Sequence, residues 1–148
     1  MPTLQNTQFS ILELAPVRDD KSIAFSLHHA LELAQHAEKL GFERFWLAEH
    51  HNMDGIASSA TAVLLGYILA NTHRIKVGSG GIMLPNHAPL VVAEQFGTLA
   101  TLYPNATVIN SGVPNSDEAY NGYEYVFDAE KGKADLEASG YDMSRPLK

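Results

Sequence analysis

The segment WLAEHHNMDG, residues 46–55, places Glu49, His50 and His51 directly after an apolar run. A carboxylate and two imidazoles in a row can hold a metal ion, move protons near neutral pH, or hydrogen-bond a surface loop. The metal option is weak on geometry. In extended chain neighbouring side chains point to opposite faces, so His50 and His51 diverge. Glu49 and His51 share a face, which supplies two ligands, and no HExxH pattern adds more. The sequence therefore assigns no metal. Acid–base chemistry asks only for one imidazole at a strand end, whereas a polar loop cluster asks for no chemistry at all. Spacing leaves those two open. A second group is VGSGGIMLP, residues 77–85, whose glycines lack the G-x-G-x-x-G order of dinucleotide sites. They can admit a flat ligand close to the backbone, or mark a bulge or tight strand exit. His28, His29, His36 and His73 read as surface or helix-face residues without a role.

The elements around these residues follow a simple alternation. TQFSILEL (7–14), FERFWLAE (42–49) and IKVGSGGIML (75–84) are rich in bulky apolar residues and read as strands. Between the first two, Leu27, Ala30, Leu31, Ala34 and Ala37 recur at helical spacing, and Gly41 is a natural C-terminal cap. A second helix is expected over 58–72 with Ser58 or Ser59 as N-cap, and a third over 89–103 with Pro89 at its first position. Strand and helix in strict alternation predict a parallel sheet with crossover helices, an α/β fold. Such sheets bind ligands at the C-terminal ends of their strands, where Glu49, His50 and His51 and the glycines fall.

Composition narrows the function classes. The chain has 148 residues, 45% of them apolar, and a formal charge of −7. That length suits one domain, and the acidic balance argues against non-specific nucleic-acid binding. Without cysteine there are neither disulfides nor thiolate metal sites. The first residues lack the basic and apolar regions of a signal peptide, and no apolar run nears the roughly 20 residues of a membrane span. A soluble cytoplasmic protein is expected. After Pro104 the chain becomes turn-rich. TVIN (107–110) could form a short strand, and AEKGKADLEAS (129–139) a short helix between Asp128 and Gly140.

Three motifs taken together, AEHHN (48–52), GSGGIMLPNHAP (78–89) and AEQFGTL (93–99), resemble the amino-terminal part of the bacterial luciferase-like monooxygenases. The likeness covers about residues 1–104. It implies a flavin-dependent TIM barrel, of which this stretch would supply the first three to three and a half βα units. By that resemblance His50 matches an acid–base residue beside the flavin, Glu49 a residue lining the flavin site, and Gly80-Gly81 a pair forming a cis peptide in some members. Ser79 belongs to the same group. The implied chemistry is activation of O2 by reduced FMN, supplied by a separate reductase, with one oxygen passed to a small organic substrate.

Beyond TLYP (101–104) the resemblance stops, and the glycine- and arginine-containing stretch expected there is replaced by NATVINSGVPNSDEAY. YNGYEYVFDAEKGKADLEASGYD (120–142) is instead similar to a segment of peptide-type ABC transporter solute-binding proteins. The expected organisation is a barrel part over 1–104 and an unrelated or divergent, mostly irregular tail over 105–148. The alternative is a divergent family member whose fourth strand is ATVIN (106–110). Two functions follow: an FMN-dependent monooxygenase, or a non-catalytic truncated or chimeric chain acting as an inert fragment or interaction module. Open sheet edges would favour homo-oligomers. Nucleic-acid and membrane partners are not expected.

Overall fold

The computed structural model describes residues 7–104 and 106–108. Four parallel strands form one sheet in sequence order: β1 (Ser10–Glu13), β2 (Arg44–Leu47), β3 (Lys76–Ser79) and β4 (Thr107–Val108). Helices α1 (Ile23–Lys39), α2 (Thr61–Leu69) and α3 (Pro89–Leu102) connect them. This is the expected run of βα units of a partial TIM barrel. β4 is the optional strand near 107, so the sheet continues past Pro104. The tail expectations for 120–142, Asp128, 129–139 and Gly140 fall outside the described residues.

Alternation along the strands separates two faces. Ile11, Phe45 and Val77 are aligned across the sheet, as are Glu13, Leu47 and Ser79. Phe45, Leu47 and Val77 are fully buried and join Ala30, Ala34, Leu65, Ile68, Val92 and Phe96 in the core. Each large apolar side chain fully buried this way contributes about 1.5–3 kcal/mol. The other face carries the row Leu12, Trp46 and Gly78, of which Leu12 is 55% exposed.

Local sequence explains the helix ends. Ser22 Oγ accepts the Phe25 N–H at 3.1 Å and opens α1. At the other end Gly41 adopts φ +81°, its N–H donates to the Glu38 carbonyl, and the Phe42 N–H reaches back to Ala37. That pair of bonds is a Schellman closure, which requires the left-handed residue that glycine accepts at no steric cost. The buried stripe of α1 is Ser26, Ala30, Ala34 and Ala37, small residues that let the helix lie close.

The expected cap of α2 is corrected. The helix begins at Thr61 after Ala60, which makes no side-chain cap bond, and neither Ser58 nor Ser59 serves. Thr61 Oγ1 instead faces the carbonyls of Ser58 and Ala48 at 3.2 and 3.3 Å. The hydroxyl thus ties the start of α2 to the end of β2. The third strand is also shorter than 75–84. Gly80 still donates its N–H to Leu47 at 2.7 Å, after which the chain leaves the sheet and makes a 3-10 turn at Leu84–Asn86. Among the described residues no helix is long and apolar enough to cross a membrane.

Candidate active site at the strand ends

The loops after β1 and β2 are laced together. Val17 N–H donates to Gly55 and Ala57 N–H to Ala15, at 2.8 and 3.0 Å. Ala15 is wholly buried with φ +50°, a left-handed conformation unusual for a residue with a Cβ. The Glu13 carboxylate accepts the Ala15 N–H at 2.7 Å and helps to hold it there. Asn52 also adopts positive φ, at 55°. Between these loops opens a cleft of roughly 300 Å³ lined by Val17, Ile23, His50, Asn52, Met53 and Ile56, among others. His50 is half-buried there.

Glu49 points elsewhere. Its Oε1 contacts Nε2 of both His51 and His87 at 2.5 Å, while Oε2 accepts the Met83 N–H at 2.9 Å. An ionised carboxylate only accepts hydrogen bonds, so both imidazoles present an Nε2–H to it. Burial pushes the Glu49 carboxyl up, but the bonds from His51, His87 and Met83, with the nearby charge of His87, outweigh it and hold it below the usual carboxylate range. The Glu49 side chain is 1% exposed, enclosed by these three partners. Glu49 and His87 border a second cleft of roughly 200 Å³, with Ser59, Thr61, Ile82, Val92 and Gln95.

The sequence expectations therefore divide. His50 and Glu49 both lie at the end of β2 but open onto different clefts, as strand alternation requires. Glu49 and His51 do share a face. The count of two ligands is corrected to three, because His87 arrives from the β3–α3 loop. Sequence reasoning missed His87. The available signal was a histidine on the chain just past a strand's C-terminal end, the same end of the sheet as Glu49. Ser79 is fully buried in the row of Glu13 and Leu47, on the helix-covered face. Gly80 lies against the opposite row: a Cβ there would come within 2.8 Å of Leu12 Cδ1 and 3.0 Å of Trp46 Cβ. The Gly80–Gly81 peptide is not cis, nor is any other among the described residues.

Described cations are unevenly placed. Arg18 and Lys21 follow β1, and Asp20 engages them at 3.1 and 3.8 Å. Lys39, Arg44, Arg74 and Lys76 lie at the opposite end, where α1 closes and β2 and β3 begin.

A parallel sheet of successive βα units in sequence order is the arrangement from which (β/α)8 barrels are built. The family profile described as luciferase-like monooxygenase matches residues 7–132. The chain belongs to that family. A luciferase-like monooxygenase of Escherichia coli K12 is 58% identical over 111 residues, 74% of this chain and 33% of that protein. The crystal structure of apo-MsnO8 superposes with a TM-score of 0.70 at 44% identity, covering 74% of this chain and 33% of that one. The oxygenating constituent of 3,6-diketocamphane monooxygenase from Pseudomonas putida, solved with FMN, shares the fold at a TM-score of 0.65 and 18% identity. It covers 76% of this chain and 31% of that one. The chain thus spans about a third of the length of the curated relatives it matches. The family match runs through residue 132, beyond 104, and lends the transporter resemblance of 120–142 no support.

Proposed function

We propose that this chain carries the flavin-facing strand ends of a monooxygenase that uses reduced FMN and O2 to oxygenate a small organic substrate. The observation that carries the reading is His50, half-buried in an open cleft at the end of β2 within the family-matched region. An imidazole there can hold or pass a proton near neutral pH. When bound, reduced FMN supplies the electrons that activate O2.

The residues present fit the ring better than the phosphate. Among the described residues, exposed Leu12 with half-buried Trp46 and Gly80 presents a largely apolar surface on the sheet, suited to one face of a flat ring. Gly80 and Gly81 would approach the ring by backbone. Glu49 would act through His51 and His87, and Ser79 would support the strand from beneath. For the phosphate, Arg18 and Lys21 are the described cations at this end, and Asp20 already engages both. Hydrogen bonds to charged groups are worth about 1.5–3 kcal/mol each, so each missing phosphate contact weakens binding about 10- to 100-fold.

The chain alone is therefore expected to bind FMN weakly and to turn over no substrate. A separate reductase would supply the reduced flavin, and copies of the chain would associate through the β1 edge, which pairs with β2 alone among the described residues. Titrating FMN into the full chain while following flavin fluorescence is the test. Weak saturable binding, lost further in His50→Ala, supports the reading. Tight stoichiometric binding with NADH-linked oxygenation would show that the cofactor site is complete. No binding at millimolar FMN would favour the second reading, a non-catalytic chain.

A further inference from the structure

We propose that Glu49, His51 and His87 form a binding site for one divalent transition-metal ion of the zinc type. The three ligand atoms, Oε1 of Glu49 and one ring nitrogen from each histidine, lie within 4.8 Å of one another. They come from two places far apart in sequence, the end of β2 and the loop before α3, which the sheet brings to the same end.

The geometry suits an ion. Zinc binds imidazole nitrogen and carboxylate oxygen at about 2.0–2.2 Å, so tetrahedral ligand atoms stand about 3.3 Å apart. The two Nε2–Oε1 contacts are now 2.5 Å. The His51 and His87 side chains are 38% and 27% exposed, so each can withdraw by the fraction of an ångström that admits the ion. Glu49 cannot swing away, because Oε2 is held by the Met83 N–H at 2.9 Å. Such an outer hydrogen bond is what orients ligating carboxylates in metal sites.

The ligand set also indicates the class of ion. Two imidazoles and one carboxylate suit zinc, copper, nickel or iron, whereas calcium and magnesium take oxygen ligands. Three protein ligands leave a coordination position free, and Glu49 and His87 border the cleft containing Thr61 and Gln95. Water or a small ligand donor atom could complete the shell from there. Binding through Nε2 requires each neutral imidazole to carry its proton on Nδ1 instead. Metal occupancy and the present hydrogen-bonded arrangement therefore exclude each other. None of the three ligands lines the cleft of His50, so metal binding is read on the chain without flavin.

The test uses the full chain, freed of metal by chelation and checked for helix content by circular dichroism. Cobalt(II) is titrated in and its visible d–d absorption followed, then zinc is added in competition. The expected result is saturation at one equivalent, with bands typical of four- or five-coordinate cobalt that zinc abolishes. His51→Gln and His87→Gln should each weaken binding more than about tenfold, the lower end of what even an outer-sphere partner is worth. His29→Gln, a surface histidine beside Glu32, should leave it unchanged. Absence of the bands at millimolar cobalt, or full binding retained in both His51→Gln and His87→Gln, would overturn the proposal and leave a hydrogen-bonded carboxylate–imidazole cluster.

Discussion

Replacing Gly80 by alanine tests how closely β1 and β2 pack where the third strand ends. The added Cβ would meet Leu12 Cδ1 at 2.8 Å and Trp46 Cβ at 3.0 Å, where ordinary contact begins at 3.4 Å. The two obstacles differ in kind. Leu12 is 55% exposed and its terminal methyl can rotate away at little cost. Trp46 Cβ is fixed to the backbone of a central strand and cannot move without it. The Gly80 N–H bond to Leu47, at 2.7 Å, holds the chain against that strand, so relief on the other side would lengthen this bond. Overpacking of this kind costs about 1–3 kcal/mol. Urea unfolding of wild type, Gly80→Ala, and Gly80→Ala combined with Leu12→Ala would measure it. The double variant should recover only the smaller part of the loss, because Trp46 still obstructs. A Gly80→Ala loss below about 0.5 kcal/mol, within the usual range for surface substitutions, would refute the packing argument. Full recovery in the double variant would place the whole clash on Leu12.

Two further substitutions probe the frame that holds the site. Glu38 accepts the backbone N–H groups of His73, Arg74 and Ile75 on one oxygen and so fastens α1 to the start of β3. Burial raises its carboxyl, but these three bonds and the field of His73 outweigh it and leave it lowered. A lowered carboxylate stabilises the fold fully above its unfolded value near 4.5 and loses that contribution as pH falls through the folded value. Glu38→Gln should therefore be destabilised relative to wild type at pH 7, by about 1–3 kcal/mol, with the gap closing below pH 4.5; a gap independent of pH would contradict this. Gly41→Ala should cost about 1–2 kcal/mol, because φ +81° is costly for any residue with a Cβ although open space surrounds the position; an unchanged urea midpoint would show that the α1 closure bears no strain.

What could be read from the chain before folding was its local chemistry. The helix periodicity of Ala30, Ala34 and Ala37, the cap at Gly41 and the opening proline of α3 each follow from a few neighbouring residues, and each is present. The alternation that separates Glu49 from His50 is equally local. The cap expected from Ser58 or Ser59 failed because α2 starts only at Thr61, whose hydroxyl ties that start to the Ala48 carbonyl of another element. His87 failed for the same reason on a larger scale. Its partner Glu49 lies 38 residues away, and periodicity within one element does not specify which loop meets which. The burial of Ser79 was implicit in its alignment with Leu47, which became visible only with the strand register.

The central claim is that the strand ends bearing His50, Gly80 and Gly81 are where a flavin ring rests. The most direct measurement is a two-dimensional amide NMR titration of the isotope-labelled full chain with FMN. Saturable shifts should concentrate at the amides of Gly80, Gly81 and His50 and at the indole of Trp46, the single tryptophan of the chain. The far ends of β2 and β3, at Arg44 and Lys76, should stay still. Shifts clustered at that opposite end, or spread evenly with no saturation, would contradict the account.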